Sequence, residues 1–205
     1  METNPYVSRG GLKLEAALDA FQLSPQGMTC ADLGCNIGGF TDCLLQRGAA
    51  HVFAVDTAYG ELAWKLRQDE RVTVVERTNA LHFDPSSLPD IRACDLVVID
   101  LGWTKQDRAI PAALRWLRES AEARIVSLIK PHYEEGQGPG ARGQGGGERK
   151  HVLSDEEADA TCQRVLDAMP SLGVRVLGHI QSPIRGGGKR GREGNIEYLA
   201  LLAHG

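Results

Sequence analysis

The hydrophobic positions of the chain fall into short runs separated by segments that repeat at helical spacing. Seven apolar runs, rich in β-branched residues and bounded by turn-forming residues, predict strands. Because helical segments alternate with most of these runs, the pattern is typical of βαβ units. The predicted strands are Met28–Leu33, His51–Asp56, Val72–Glu76, Asp95–Asp100, Arg124–Lys130, Val174–Gln181 and Ile196–Leu202.

The segments between these runs predict amphipathic helices. Near the N-terminus, Leu14, Leu18 and Phe21 share one apolar face, which indicates a helix before the first strand. Ser154 and Glu157 have the spacing of a capping box, so a helix is expected to begin directly after Ser154. The predicted helices are 8–22, Gly39–Gln46, Glu61–Gln68, Ala109–Ala123 and Asp155–Met169.

This order of elements predicts a single α/β domain over residues 1–205. Parallel neighbours need a crossover connection, but only a glycine-rich loop joins the last two strands, so the final strand is expected to be antiparallel. A mostly parallel seven-stranded sheet with an antiparallel last strand and helices on both faces is the methyltransferase variant of the Rossmann-like fold. The glycine-rich segment 134–150 follows a strand and is expected to be a flexible loop at the active site.

Composition narrows the class of protein further. The five cysteines are odd in number and include no Cys-x-x-Cys pair, which argues against a disulfide framework and a structural zinc site, and we expect no metal. No apolar run is long enough to span a bilayer, and residues 1–10 lack the apolar core of a signal peptide. A cytoplasmic protein without a membrane partner is therefore expected.

A nucleotide site is indicated where the first strand ends, in Asp32-Leu33-Gly34-Cys35-Asn36-Ile37-Gly38-Gly39. Glycines in a strand-to-helix turn allow a ligand to approach the backbone closely, and Asp56 ends the second strand, where an acid can bind ribose hydroxyls. NAD is disfavoured because Asn36 replaces the middle glycine that a pyrophosphate requires. S-adenosylmethionine has no phosphate, and its ammonium group suits an acceptor such as Asp32.

Four further charged residues are predicted at the same edge of the sheet. Asp100 and Lys130 end the fourth and fifth strands, where ligands bind in open α/β sheets. Glu197 lies near the start of the final strand, which runs in the opposite direction, and Lys13 lies in the first helix.

The motifs that contain these residues resemble those of the FtsJ-like ribose 2′-O-methyltransferases, in particular the TlyA, or hemolysin-like, branch known for rRNA methylation. The resemblance implies a catalytic set of Lys13, Asp100, Lys130 and Glu197. It implies cofactor contacts at Asp32, Gly34, Asn36, Gly38, Gly39, Asp56, Asn79 and Asp100. The matching segments extend over nearly the whole chain and are Tyr6–Gly11, Gly38–Leu45, Ala63–Gln68, Glu76–Asn79 and Gly194–Leu199.

The chemistry of ribose methylation gives these residues separate roles. A ribose hydroxyl is a poor nucleophile until a base removes its proton, and a lysine can do so if its pKa is lowered. We expect Lys130 to be this base, with its pKa lowered by the nearby Lys13, which also stabilises the developing alkoxide. Asp100 is expected to orient Lys130 and to favour the sulfonium, while Glu197 holds a lysine in position.

The chain also departs from the TlyA pattern. That branch carries a small RNA-binding domain ahead of the methyltransferase, and only a few residues precede Ser8 here, so we expect this domain to be absent. Trp103 and Tyr133 stand where the branch usually has phenylalanine, and each is expected either to stack on a base or to pack. His132 replaces a glutamine and is expected either to be structural or to contact the loop.

The charge distribution points to RNA although the net charge is −4. A glycine-rich stretch concentrates basic residues that we expect to contact RNA phosphates, with rRNA or a ribosomal particle as the partner. Methylation of a small molecule and RNA or cofactor binding without turnover are the alternatives, and membrane lysis has no amphipathic helix to support it. The basic residues of this stretch are Arg185, Lys189, Arg190 and Arg192.

Overall fold

A seven-stranded sheet forms the centre of the molecule. The computed structural model of the chain describes residues 4–88, 93–135, 153–187 and 194–205. Every predicted strand is present, and no bound differs from the prediction by more than two residues. The strands are β1 (Thr29–Leu33), β2 (His51–Val55), β3 (Val72–Val75), β4 (Leu96–Ile99), β5 (Arg124–Ile129), β6 (Val174–Gln181) and β7 (Tyr198–His204).

The strand order β3-β2-β1-β4-β5-β7-β6 confirms the predicted topology. Strands β1 to β5 are parallel, whereas β7 is antiparallel to both β5 and β6. The register pairs Ile129 of β5 with Tyr198 of β7, so the residue before Tyr198 lies at the carboxyl end of the parallel strands. Glu197 therefore precedes the last strand, just outside its first residue.

Helices cover both faces of the sheet, and each face has its own hydrophobic core. Because side chains alternate along a strand, Cys30 of β1 packs in one core and its neighbour Ala31 in the other. The first core includes Leu14 and Leu44 from the helices before β2. The second includes Ile110 and Leu166, from helices that follow β4 and β5. Strands that are buried on both faces explain the nearly continuous apolar runs in the sequence.

Most of the predicted helices are shorter in the structure than the sequence pattern suggests. The capping box of Ser154 and Glu157 is confirmed, and α2 has the predicted bounds. The helices are α1 (Gly10–Ala20), α2 (Gly39–Gln46), α3 (Trp64–Arg67), α4 (Gln106–Leu114), α5 (Pro131–Glu134) and α6 (Asp155–Ala168), with short 3-10 turns at Pro85–Ser87 and Met169–Leu172.

The prediction for α4 was wrong at both ends. The helix begins three residues early because Glu134 accepts a hydrogen bond from the free backbone N–H of Gln106 at 2.8 Å. It ends nine residues early because the chain after Leu114 turns to lie beside the start of β4. There Leu117 forms a parallel bridge with Cys94, which replaces helical hydrogen bonds.

The glycine-rich segment predicted over 134–150 also begins differently. Pro131 at the first helical position starts the single turn of α5, so Glu134 is helical and not part of a loop. Residues 136–150 of that prediction lie outside the described residues. Across the described ranges, none of the helices is long and apolar enough to cross a membrane.

Candidate active site

A cleft opens at the carboxyl edge of the parallel strands, between α1 and the turn that follows β1. Its walls bring together several of the residues predicted from sequence, which are Lys13, Gly34, Asn36, Gly39, Asp100 and Arg185. Three further residues line the same cleft although the sequence did not identify them as site residues, namely Arg9, Phe40 and Ile184. Arg9 stood within a family motif, and this motif was the signal that could have identified it.

Gly34 sets the shape of the turn. Its φ is +93°, and a Cβ on this residue would lie 2.6 Å from the carbonyl oxygen of Asp100. Only glycine fits both the left-handed backbone and this close contact. The turn therefore packs against the end of β4, and a ligand bound above Gly34 would lie beside Asp100.

Asp56 holds the other side of the turn. One of its carboxylate oxygens accepts the N–H of Asn36 at 2.8 Å, and the other accepts the N–H of Ala58 at 2.8 Å. A carboxylate oxygen can accept a second hydrogen bond, so each oxygen can also receive a ribose hydroxyl. Asn79 is exposed and follows Thr78, whose N–H bonds to the carbonyl of Asp56.

Asp32 is fully buried beneath the turn. Its Oδ2 accepts hydrogen bonds from the backbone N–H and the hydroxyl of Thr41, at 2.9 and 2.7 Å. Its Oδ1 is buried without a hydrogen-bond partner among the described residues. Burial, opposed by Thr41 and reinforced by Asp100, raises the pKa of Asp32 to about 7. A buried carboxyl oxygen without a partner is rare in proteins, so Oδ1 of Asp32 can accept one further hydrogen bond.

Two lysine–carboxylate pairs lie next to the cleft. The Lys130 ammonium is 2.5 Å from an oxygen of Asp100 and also donates to the carbonyl of Leu101 at 3.3 Å. The Lys13 ammonium is 2.5 Å from an oxygen of Glu197. Side-chain exposure is only 12% and 4% for Lys13 and Glu197, and 13% and 26% for Lys130 and Asp100. All four predicted catalytic residues are therefore arranged as two largely desolvated ion pairs.

The electrostatics of Lys130 differ from the sequence prediction. Burial alone would lower the pKa of this lysine, but the Asp100 carboxylate and Glu197 outweigh burial and raise the pKa above its ordinary value. The expected lowering by Lys13 is therefore wrong, because each ammonium group already has a carboxylate partner. Burial also raises the pKa of Glu197, although Lys13 and Lys130 act in the opposite direction.

Tyr133 and Trp103 form an aromatic wall near the Lys130 ammonium, outside the lining of the cleft. The ring of Tyr133 lies 5.7 Å from the Lys130 ammonium and 6.3 Å from the ring of Trp103. Trp103 is 65% exposed and has a positive φ of 52°. Burial and the two nearby lysines, Lys130 and Lys13, lower the pKa of His132 to about 4, so this imidazole is neutral.

Helix α1 carries Lys13 to the site through close contact with α2. A Cβ on Gly39 would lie 2.3 Å from the hydroxyl of Ser8 and 2.8 Å from the backbone nitrogen of Gly11. The N-terminal segment is fixed as well, because Asp42 of α2 accepts the N–H of Val7 at 2.8 Å. The position of Lys13 thus depends on the small residues at this crossing.

The basic stretch is only partly described. Arg185 lies on the cleft wall, where its guanidinium contacts both oxygens of Asp155 at 3.1 and 3.2 Å. Next to it, Gly186 lies so close to Glu197 that a Cβ would be 1.9 Å from a carboxylate oxygen. An isolated antiparallel bridge joins Gly186 to Asn195, two residues before Glu197. Lys189, Arg190 and Arg192 lie outside the described residues.

The donor set fits S-adenosylmethionine. Asp32 offers an unpartnered buried acceptor for an ammonium group, and Asp56 offers two acceptors for ribose hydroxyls. Gly34 and Asp100 both line the cleft in which a ligand would bind. Within the described ranges, no group of three or more His, Cys, Asp or Glu side chains is arranged to hold a metal ion.

Comparison with known proteins decides the family. The model of the FtsJ-like methyltransferase family matches residues 6–200. The chain belongs to the FtsJ-like methyltransferase family. Its cofactor is therefore S-adenosylmethionine, in agreement with the donor set of the cleft.

Individual FtsJ-like relatives support this assignment. The 16S/23S rRNA (cytidine-2'-O)-methyltransferase TlyA of Mycobacterium tuberculosis is 41% identical, over 96% of this chain and 68% of that protein. Hemolysin A of Brachyspira hyodysenteriae is 34% identical, over 95% of this chain and 75% of that protein. A solved structure of a hemolysin-like protein from Streptococcus thermophilus superposes with a TM-score of 0.83 at 35% identity, covering 99% of this chain and 68% of that one.

Proposed function

We propose that this FtsJ-like methyltransferase methylates a ribose 2′-hydroxyl in rRNA. The observation that carries the proposal is the arrangement of Lys13, Glu197, Lys130 and Asp100 as two ion pairs next to the cofactor turn. A ribose hydroxyl needs a proton acceptor and a cation to stabilise the alkoxide, and two lysines can supply both. The names of the TlyA relatives support rRNA as the substrate.

The residues around the turn would bind the cofactor. Asp56 would hold the ribose hydroxyls and Asn79 the adenine, while Asp32 would accept the ammonium group of the methionine part. When bound, S-adenosylmethionine supplies a methyl group on a positively charged sulfur. Asp100, at the end of β4, lies where its carboxylate can favour that positive charge.

Lys130 would accept the proton of the ribose hydroxyl at its Nζ. The O2′–H bond would break as its proton passes to Nζ of Lys130, which becomes an ammonium group. The O2′–methyl bond would form as the methyl–sulfur bond breaks, with neutral S-adenosylhomocysteine as the leaving group. The net charge of the site therefore stays constant during the step. Because Asp100 and Glu197 raise the pKa of Lys130, only its minor deprotonated form can act as the base.

Glu197 would position Lys13, and Lys13 would stabilise the developing alkoxide. Glu197 holds the Lys13 ammonium at 2.5 Å, which keeps a fixed positive charge on the cleft wall. A fixed charge costs no reorganisation when the oxygen becomes negative, so it stabilises the developing alkoxide efficiently. Most of the remaining rate enhancement would come from aligning the oxygen with the methyl group.

RNA would enter between Arg185 and the wall formed by Trp103 and Tyr133. Trp103 and Tyr133 present aromatic surface near the Lys130 ammonium, which suits stacking of the target base. Arg185, together with Lys189, Arg190 and Arg192, would bind phosphates. We infer that the substrate is presented in a ribosomal particle, which places the reaction in the cytoplasm.

The proposal is tested by mapping 2′-O-methylation of rRNA in cells that contain or lack the protein. We expect one or a few rRNA riboses to lose the methyl group, and the wild-type gene to restore it. Asp100→Asn should not restore it, whereas Arg175→Ala, at the opposite edge of the sheet, should. Unchanged rRNA methylation in cells without the protein would refute the proposal and leave a small-molecule substrate or binding without turnover.

A further inference from the structure

An arginine stacked on an exposed tyrosine lies outside the cleft. The guanidinium carbon of Arg77 is 4.1 Å from the ring centroid of Tyr59, and Tyr59 is 68% exposed. Neither residue packs in the hydrophobic core or lines the cleft. The pair therefore presents a positive charge on an aromatic surface to the solvent.

The backbone holds this pair in place. Arg77 has a φ of +52°, a conformation that non-glycine residues adopt rarely, and its N–H bonds to the carbonyl of Ala58 at 3.1 Å. The N–H of Gly60 bonds to the carboxylate of Glu76 at 2.9 Å. These bonds tie the loop after β2 to the end of β3, so that Arg77 lies over Tyr59. Strained backbone of this kind is concentrated at functional sites.

The charge of Arg77 is not used inside the molecule. Its neighbour Glu76 is already paired with Arg67 and with the N–H of Gly60. Among the described residues, none forms an ion pair or a side-chain hydrogen bond with Arg77. Stacking on Tyr59 keeps the edge of the guanidinium free to donate hydrogen bonds, and the fixed planar fork suits a phosphate.

The pair lies at the same edge of the sheet as the catalytic residues. Tyr59 and Arg77 follow β2 and β3, whereas Asp100 and Lys130 follow β4 and β5. In the strand order, β3 and β5 are four spacings apart, so at about 4.8 Å for each spacing their carboxyl ends are separated by roughly 19 Å. An RNA strand with its target nucleotide at Lys130 has to extend across this distance to reach Arg77.

We propose that Tyr59 and Arg77 form a second RNA contact, in which Arg77 binds a backbone phosphate a few nucleotides away from the modified nucleotide. Tyr59 orients the guanidinium and offers its exposed ring edge to the same strand. This inference rests on the proposed function, because it assigns a second part of the surface to the same RNA. An RNA phosphate fits better than a protein partner, because a single fixed cation beside one aromatic ring offers no apolar surface of useful size.

Three variants test the contact, and a fourth is the control. Binding of fluorescein-labelled oligocytidylate and of purified rRNA is measured by anisotropy at several salt concentrations. Arg77→Ala should weaken binding about 5-fold and reduce the slope of log affinity against log salt by about one, as expected for one lost phosphate contact. Arg77→Lys and Tyr59→Ala should weaken binding while they keep the slope, since the charge remains. Arg175→Ala removes a cation at the opposite edge of the sheet and should change nothing.

The outcomes separate this inference from the proposed function. If wild-type protein binds and methylates RNA while all the variants bind as tightly as wild type, the second contact is refuted and the function stands. If the variants lose affinity for S-adenosylhomocysteine in calorimetry, the pair serves the cofactor and the inference is wrong. A wild-type protein that binds neither RNA probe would overturn both proposals.

Discussion

The raised pKa of Lys130 leads to a quantitative prediction for the rate of methyl transfer. An ordinary lysine has a pKa of about 10.4, so at pH 7.4 about one molecule in a thousand is deprotonated. In this site, Asp100 and Glu197 reduce the deprotonated fraction further, because they raise the pKa of Lys130. If the neutral amine is the base, its rarity costs at least about 4 kcal/mol of activation free energy at that pH.

The pH–rate profile measures this directly. With rRNA and S-adenosylmethionine saturating, the single-turnover rate should rise about tenfold for each pH unit between pH 7 and 9, because each unit increases the neutral amine tenfold. Lys130→Ala should abolish methyl transfer while S-adenosylhomocysteine affinity stays nearly unchanged. Lys130→Arg should also fail, since a guanidinium does not lose its proton near neutral pH.

A matched control separates charge from proton transfer. Lys13→Arg keeps the cation beside Glu197 and should retain measurable activity with the same pH slope, because Lys13 is assigned no proton transfer. A flat profile for the wild type, or near-normal turnover by Lys130→Arg, would show that position 130 supplies only positive charge. The general-base role would then have to be abandoned in favour of electrostatic stabilisation.

Three further predictions concern binding. Asp56→Ala should weaken S-adenosylhomocysteine by about 1–3 kcal/mol, the cost of unpaired ribose hydroxyls, and calorimetry that shows tighter binding of NAD would contradict the site assignment. The pKa of about 7 for Asp32 predicts that S-adenosylhomocysteine affinity rises as pH increases from 5.5 to 7 and levels off above, since the carboxylate binds the ammonium; Asp32→Asn should remove this dependence. Neutralising Arg185 and the three basic residues after it should weaken RNA binding and flatten its salt dependence without changing which nucleotide is modified. An unchanged salt slope would show that these residues are solvated and do not contact RNA phosphates.

Hydrophobic periodicity predicted the sheet well because its central strands are buried on both faces. The runs around Cys30 and Val98 stay apolar over consecutive residues, and a helix with one exposed face would not produce such a pattern. The antiparallel last strand followed from the absence of a crossover. Periodicity failed at the end of α4, because Trp116 and Leu117 are buried by a bridge to Cys94 and mimic a helical face.

The sequence predicted which residues lie together in the candidate site. It did not predict the direction in which their pKa values are shifted. Strand ends and the family motif identified Lys130 and Asp100, since the topology of parallel strands fixes that edge. The direction of the pKa shift depends on distances of 2.5 Å between side chains, which spacing along the chain does not encode. The stack of Arg77 on Tyr59 was missed for a similar reason, because it depends on one left-handed backbone residue.

The link between Lys13 and Glu197 has a consequence for how the activity is acquired and lost. The two residues are 184 positions apart, and the pair connects the first helix to the residue before the last strand. Contacts of such long range form late in folding, because their loop-closure entropy must be overcome first. The candidate site therefore needs residues from both ends of the described chain. Cofactor binding at the Gly34 turn does not by itself report that this long-range pair has formed.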